Sequence, residues 1–212
     1  SFGISFKPNN YLEVTTEDLK QKLQSIDTTK AVILGENTNS IFNESVELDC
    51  VRYIDNELSV DGSTITAGAS INWHELVKIS ISNNLYGLEN LAHIPGSVGA
   101  SPIQNIGAYG QDVSQVIKFV ECIDLESLEI FQLTKNECNF SYRSSIFQSR
   151  KYLITKVSFE LETIFKPNLK YKSLSEYVAK NSINISKDNI IEIIGRVRAL
   201  RLPDIKVLPN CG

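Results

Sequence analysis

The stretch GSVGASPIQNIGAYG, residues 96–110, most constrains what this chain can fold into. It contains four glycines, one proline and no charged residue, whereas surface loops usually carry charge and core strands contain few glycines. Glycine lets the backbone approach a flat or phosphorylated ligand closely, and neutral amides and hydroxyls can bond the edge of a heteroaromatic ring. The stretch therefore predicts a ligand-binding segment, with a packed loop that binds nothing as the alternative.

A second candidate ligand segment, GENTN (residues 35–39), follows a short buried strand, AVIL. Residues 11–40 have the pattern strand, helix, strand with a parallel pair, in which Thr15 caps the helix and Asp18 reaches back to it. Backbone N–H groups in a loop that leaves such a strand can turn toward an anion, such as a pyrophosphate. A plain turn is the alternative.

The rest of the chain is typical of an α+β unit. Antiparallel-type strands are predicted at residues 45–51, 57–61, 63–69, 115–124, 128–134 and 152–162. In the last of these, alternation places Leu153, Thr155, Val157, Phe159 and Leu161 on one face.

Two amphipathic helices are also predicted. The first begins at Trp73 and ends near Asn84, and the second covers residues 188–200. The inward-facing residues of the second are Ile190, Ile191, Ile194 and Val197. We expect a small α/β unit over residues 1–48 and a larger α+β unit over residues 49–212, with a ligand at their junction.

Charge and cysteine content exclude several function classes. The formal net charge of the 212 residues is -4, which argues against nucleic acid as a partner. No apolar run is long enough to span a membrane, and no signal peptide is visible. The four cysteines lack CxxC spacing and are joined by only two histidines, so we expect reduced thiols and no metal.

Two further segments carry cations. In FSYRSSIF (residues 140–147), an extended backbone would point Tyr142 and Arg143 to opposite faces, and Arg143 could clamp a carboxylate. A surface arginine is the alternative. Near the C-terminal end of the last predicted helix lie Arg196, Arg198, Arg201 and Lys206. They fit either the helix dipole or an anion site for a phosphorylated substrate.

The motifs ILGENTN, TAGASINWHELV, GLENLAHIPGSVGASPIQNIGAYG, CNFSYRSSIF and RALRLPDIKVLPN occur here in this order. Together they make the whole chain similar to the UDP-N-acetylenolpyruvoylglucosamine reductase family, the flavoenzymes of bacterial peptidoglycan synthesis. The most specific part is residues 87–110.

The resemblance implies an α+β FAD-binding fold of the vanillyl-alcohol-oxidase type, with FAD between two subdomains. It implies that NADPH reduces non-covalently bound FAD, and that the enolpyruvyl group of a UDP-sugar is then reduced at the same site. His74 and His93 lie outside any motif for covalent flavin attachment. We accordingly expect a monomeric, cytoplasmic bacterial protein without a membrane or nucleic-acid partner.

The resemblance also assigns residues. Arg143 matches the catalytic arginine, and the substrate-side matches are Tyr142, Tyr171, Arg198 and Arg201. The cofactor-binding matches are Gly35, Glu36, Asn37, Thr38, Asn39, Gly96, Ser97, Gly99, Ala100, Ser101, Gln104, Asn105, Gly107, Ala108 and Tyr109. The first five match the pyrophosphate loop, and the remainder match the segment along the flavin.

The chain departs from the family pattern in three places. Asn37 and Thr38 replace Gly or Ser in the pyrophosphate loop, although Asn tolerates left-handed backbone angles. Arg201 stands where the family has a lysine, which changes the geometry of any phosphate or nicotinamide contact. The family's proton-donating serine follows the match to Asn210-Cys211-Gly212, where the sequence ends, and the C-terminal substrate domain with its catalytic glutamate is absent. We therefore expect that the 212 residues alone do not complete the reduction.

Two alternatives remain open at the level of sequence. The chain could be a flavin-binding module or degenerate relative without reductase activity, which the altered pyrophosphate loop motivates. It could also be a different oxidoreductase on the same fold, because fold alone does not fix function.

Overall fold

A small parallel sheet forms the first part of the chain in the computed structural model, which describes residues 7–40, 42 and 48–202. It contains β1 (Asn10–Val14), β2 (Ala31–Ile33) and β3 (Asp49–Tyr53), in the order β1-β3-β2. The short helix α1 (Leu19–Leu23) connects β1 to β2, and the Asp18 carboxylate accepts a hydrogen bond of 2.8 Å from the Thr15 N–H. The predicted strand, helix, strand order and the back-reaching Asp18 are confirmed. The predicted cap by Thr15 is wrong, because its hydroxyl donates to the Glu17 carboxylate and α1 begins after Asp18. β1 and β2 are parallel but do not pair with each other.

The predicted antiparallel pairing of β3 is wrong. β3 lies between β1 and β2 and pairs with both in parallel. Its alternating pattern did not identify its partners, because the direction of pairing is decided by segments distant in the sequence. The division at residue 48 stays a proposal, and the sheet topology favours a boundary after Tyr53.

A larger antiparallel sheet follows, with the strand order β4-β5-β10-β8-β9. Its strands are β4 (Leu58–Asp61), β5 (Thr64–Gly68), β8 (Ile117–Asp124), β9 (Ile130–Thr134) and β10 (Tyr152–Glu160), and a two-residue pair is formed by β6 (Gly107–Ala108) and β7 (Gln111–Asp112). The predicted antiparallel strands in this part of the chain are confirmed.

Three helices complete the fold: α2 (Trp73–Ser82), α3 (Lys172–Lys180) and α4 (Ile190–Ala199). Buried residues from all three join the main core beside those of the sheet, and the Trp73 and Phe159 rings meet edge to face at 5.8 Å. Helices α2 and α4 match the predicted ones, although α4 buries Ile193 and leaves Ile191 half-buried. Sequence analysis did not predict α3.

A bulge in β10 breaks the predicted alternation. The register against β8 shifts between Ile154 and Lys156. As a result, Leu153 packs with the small sheet, whereas Ile154 and Val157 belong to the main core. A strand with one extra residue changes the face to which its side chains point, so the predicted single face from Leu153 to Phe159 is wrong. The bulge puts β10 against both parts of the molecule.

Candidate functional site

Both predicted cofactor segments border one cavity of about 420 Å³, beside the small sheet. The predicted cofactor residues that line it are Gly35, Glu36, Ser97, Gly99, Ala100 and Gln104. Residues of β2, β3 and β10 supply further walls. The structure thus brings together two segments that are 60 residues apart in the sequence, as a ligand at the junction requires.

Hydrogen bonds tie the GENTN loop to the glycine-rich segment. Asn39 Nδ2 donates to Gln104 Oε1 at 2.8 Å, and Thr38 Oγ1 donates to the Pro95 carbonyl at 3.4 Å. Asn37 has φ 54°, the left-handed conformation that asparagine tolerates and that brings successive N–H groups toward an anion. Within residues 7–40, 42 and 48–202, no backbone carbonyl accepts a hydrogen bond from the N–H groups of residues 35–39.

The donor set of this cavity fits a dinucleotide diphosphate. Besides Gly35 and Glu36 of the loop, Arg52 and Arg150 line the cavity, and neither forms a salt bridge with a carboxylate of the described residues. The Glu36 carboxylate also lines it, but accepts a hydrogen bond from Asn72 Nδ2 at 3.0 Å. Guanidinium groups and unpaired N–H groups are the partners that phosphate oxygens favour.

A second cavity, of about 550 Å³, collects all the predicted catalytic and substrate-side residues. These are Tyr142, Arg143, Tyr171, Arg198 and Arg201. The same cavity is lined by Gly107, Ala108 and Tyr109 from the end of the glycine-rich segment. Residues 96–110 therefore run from the first cavity to the second.

Arg143 lies in a tight turn and not in the extended segment that the sequence suggested. An antiparallel bridge between Ser141 and Ser144 closes the turn, and Arg143 has φ 53°. Its guanidinium donates to the carbonyls of Asn105 at 3.3 Å and Gly107 at 2.6 Å. Tyr142 and Arg143 therefore do not point to opposite faces, because the backbone turns at Arg143 and both residues line the same cavity.

Positive charge dominates this cavity. Arg143, Arg198 and Arg201 line it with only one carboxylate, that of Asp112, and none of the three forms a salt bridge within the described part of the chain. Partial burial lowers the pKa of Arg198. Burial also raises the pKa of Tyr109, an effect that nearby Arg198 opposes. Three cations that no carboxylate of the described residues pairs with form a site for an anionic ligand.

Two predicted cofactor residues point into the protein. Asn105 is 4% exposed; its Nδ2 donates to the Ser141 carbonyl at 3.1 Å and its Oδ1 accepts from the Ser114 N–H at 3.0 Å. Ser101 is 1% exposed and donates to the Val98 carbonyl at 2.7 Å. Both side chains hold loops in place, so their direct contact with a cofactor stays a prediction.

Four more predicted cofactor residues border neither of the two cavities: Asn37, Thr38, Asn39 and Gly96. Sequence reasoning missed Arg52, Arg150 and Ser173, which do line one or the other. Their local sequence gives no signal, because each reaches its cavity only through tertiary contacts.

More than half of the chain matches a known protein family. A family model described as "FAD binding domain" matches residues 15–131, more than half of the chain. The chain belongs to the FAD-binding domain family. The matched residues include both cofactor segments and end before Arg143.

Individual relatives are more specific than the family model. A "UDP-N-acetylenolpyruvoylglucosamine reductase" of Shewanella oneidensis is 36% identical to the chain, over all of the chain and 64% of the relative. The resemblance drawn from the sequence motifs is thereby confirmed, although the chain spans less than two thirds of that relative.

Two solved structures share the fold. The "UDP-N-Acetylenolpyruvylglucosamine Reductase" from Thermus caldophilus has a TM-score of 0.67 and 20% identity, covering 92% of this chain and 64% of that one. A "Solvent-stable cholesterol oxidase" has a TM-score of 0.51 and 14% identity, covering 74% of this chain and 36% of that one. The predicted FAD-binding fold is confirmed.

The described ranges contain neither a membrane-spanning helix nor a metal-binding cluster. No helix there is long and apolar enough to cross a membrane. No three His, Cys, Asp or Glu side chains among the described residues are placed to hold a metal ion.

Proposed function

We propose that this chain is the FAD-binding portion of a reductase that uses NADPH to reduce the enolpyruvyl group of UDP-N-acetylglucosamine enolpyruvate, forming UDP-N-acetylmuramate. The observation that carries the proposal is the convergence of Arg143, Arg198 and Arg201 on one cavity that shares residues 107–109 with the flavin segment. The similarity to the reductase of Shewanella oneidensis supports the reaction class.

FAD would be held in the first cavity, with its diphosphate at the backbone of Gly35 and Glu36 and at Arg52 and Arg150, all of which line that cavity. When bound, FAD supplies the hydride-transfer chemistry of the site.

The chain's own residues act on the substrate. Arg143 binds the carboxylate beside the alkene and stabilises the negative charge that develops there during reduction. Its two hydrogen bonds to the carbonyls of Asn105 and Gly107 fix the guanidinium before substrate arrives, so little reorganisation is needed during the reaction. Gly107 makes this approach possible, because a Cβ there would lie 2.8 Å from Arg143 Nη1.

Arg198 and Arg201 bind phosphate oxygens of the sugar nucleotide or of NADPH. Tyr142 and Tyr171, which are 90% and 47% exposed, border the same space and pack against the sugar or the base. A bulky polar ligand fits such a rim of exposed aromatic rings around cationic side chains.

The wider role follows from the reaction. A reductase of this kind serves peptidoglycan synthesis, and through it cell-wall biogenesis, cell shape and cell division in a bacterial cytoplasm. We propose a monomer, because one chain supplies both cavities. The alternative is a flavin-binding module without reductase activity, which the Asn37-Thr38 loop motivates.

The test uses the protein expressed at its full encoded length, with FAD bound. NADPH oxidation that depends on the enolpyruvyl sugar nucleotide is followed by absorbance. We expect Arg143→Ala to lower turnover about 100-fold or more while the visible flavin spectrum stays unchanged. Arg196→Ala is the matched control, because Arg196 pairs with Glu192 outside the cavity.

Two outcomes would contradict different parts of the proposal. Wild-type turnover in the Arg143→Ala protein would refute the role of Arg143. A wild-type protein that holds FAD but shows no oxidation dependent on the sugar nucleotide would refute the reductase and favour the flavin-binding module.

A further inference from the structure

Asn90 is a buried polar residue that the two cavities do not account for. It lies in a single turn of 3-10 helix (Glu89–Leu91) behind the glycine-rich segment and is 1% exposed. Its Nδ2 donates to two backbone carbonyls, that of Tyr109 at 3.0 Å and that of Asn168 at 2.8 Å. One side-chain amide thus joins two loops that are 59 residues apart in the sequence.

Both loops end in a tyrosine of the second cavity. The Tyr109 and Tyr171 rings meet edge to face, with centroids 5.6 Å apart and planes at 87°. Tyr109 has φ 49°, a conformation that costs a bulky residue energy unless its surroundings hold it. The bond from Asn90 to the Tyr109 carbonyl is part of what holds it.

Only two residues separate Asn168 from Tyr171, and hydrogen bonds hold this segment in place. Asn168 Oδ1 accepts a hydrogen bond from the Lys170 N–H at 3.2 Å. Tyr171 precedes the first residue of α3, and its carbonyl accepts from the N–H of Leu174, which is completely buried. Among the described residues, no other side chain outside this segment bonds to the backbone of residues 168–171. Fixing Asn168 therefore fixes where the Tyr171 ring can lie.

We propose that Asn90 is a positioning residue, whose buried amide sets Tyr171 against Tyr109 at the edge of the second cavity through the carbonyls of Tyr109 and Asn168. An amide is suited to this role because it offers two N–H donors on one planar nitrogen, so a single side chain satisfies two carbonyls. The kinetic part of the proposal rests on the proposed function, whereas the structural part does not.

Two variants of the full-length, FAD-loaded protein test it. Asn90→Ala removes both donors. Asn90→Asp keeps the shape but sets carboxylate oxygens against two carbonyls. Asn181→Ala is the control, because Asn181 Nδ2 donates to one carbonyl, that of Tyr177 at 2.8 Å, at the exposed far end of α3.

The first measurement is hydrogen exchange by mass spectrometry. We expect peptides that cover residues 168–174 to exchange at least about tenfold faster in Asn90→Ala than in the wild type, and at the wild-type rate in Asn181→Ala. If Asn90→Asp does not fold, Asn90→Ala decides. Wild-type exchange of this segment in a folded Asn90→Ala protein would overturn the proposal whether or not the protein is a reductase.

The second measurement is a kinetic cycle with Tyr171→Ala. We expect Asn90→Ala to raise the KM for the sugar nucleotide about tenfold or more, with FAD still bound. In the Tyr171→Ala background the same change should alter KM less than about threefold, because the residue that Asn90 positions has gone. An equal fold-change in both backgrounds would overturn the positioning role and indicate general destabilisation. A wild type without turnover would refute the proposed function, and hydrogen exchange would still decide the role of Asn90.

Discussion

Gly99 is predicted to be replaceable only if Ala69 is changed with it. The Gly99 N–H donates a hydrogen bond of 2.9 Å to the Ala69 carbonyl. A Cβ added at Gly99 would lie 2.6 Å from the Ala69 Cβ, and 3.2 Å from its Cα and its carbonyl oxygen. The missing side chain at Gly99 makes room for Ala69, and the contact of Gly99 with a cofactor stays a prediction.

The cost of Gly99→Ala follows from this contact. Carbon atoms pack at about 3.5–4.0 Å, so the methyl group forces the two segments apart by roughly 1 Å. Overpacking a buried site in this way costs about 1–3 kcal/mol. For a chain of this size, each kcal/mol lowers the melting temperature by about 2–4 °C. The expected fall is therefore about 2–12 °C.

Combining Gly99→Ala with Ala69→Gly tests the contact directly. Ala69→Gly alone should cost about 1 kcal/mol, mainly through backbone entropy. It also removes the atom nearest to the new methyl group. In the double variant, most of the cost of Gly99→Ala should vanish, leaving a coupling of about 1–2 kcal/mol in the stabilising direction.

The assay is urea unfolding of the four proteins, followed by tyrosine and tryptophan fluorescence, with FAD release as a second reading. Both residues line the first cavity, so FAD should be lost earlier from Gly99→Ala than from the double variant. If the losses of stability in the two single variants sum to the loss in the double variant within about 0.5 kcal/mol, the two residues are not coupled. The contact with Ala69 then does not explain the need for glycine at position 99, and the reasoning is refuted.

Two further predictions concern buried titratable groups. Glu89 is 8% exposed, its Oε1 has no hydrogen-bond partner among the described residues, and burial raises its pKa above 4.5. Because this pKa is raised in the folded state, the stability that depends on Glu89 is fully present below about pH 4.5 and is lost as pH rises through the folded-state pKa. Glu89→Gln should therefore lose less stability than the wild type as pH rises above about 4.5, and parallel stability profiles in urea would contradict this. Burial raises the pKa of the Cys122 and Cys138 thiols to about 12. Iodoacetamide at about pH 8 should therefore label neither in the native protein and both in urea, which peptide mapping checks, and rapid native labelling would show that these thiols are accessible.

The sequence predicted those elements that are determined by residues close together in the chain. Asp18 reaches back to Thr15 because both lie within one turn, and the apolar spacing of α2 needs no distant partner. The pairing of β3 was missed because its sequence is compatible with either direction, and only its position between β1 and β2 decides. The bulge at Ile154 depends on the register against β8 and leaves no mark in the composition of β10.

In the candidate site, too, the sequence predicted the features with a local signal and missed those that depend on distant contacts. The GENTN loop and the glycine-rich segment were found because their composition is unusual for a loop. The turn at Arg143 was not found, because the guanidinium of Arg143 bonds to the carbonyls of Asn105 and Gly107, 38 and 36 residues earlier, and such distant contacts leave no local pattern. Arg52 and Arg150 look like ordinary surface cations until the fold places them at one cavity.

The bulge in β10 also has a consequence for the order of synthesis. The small sheet leaves the ribosome first, yet the cluster that buries Val14, Leu19 and Val51 also includes Ile123 and Leu153. Its apolar face stays incomplete while about a hundred further residues are made. The small sheet, although first along the chain, can therefore close its core only after β10 has emerged, and the nascent protein must keep that face from aggregating until then.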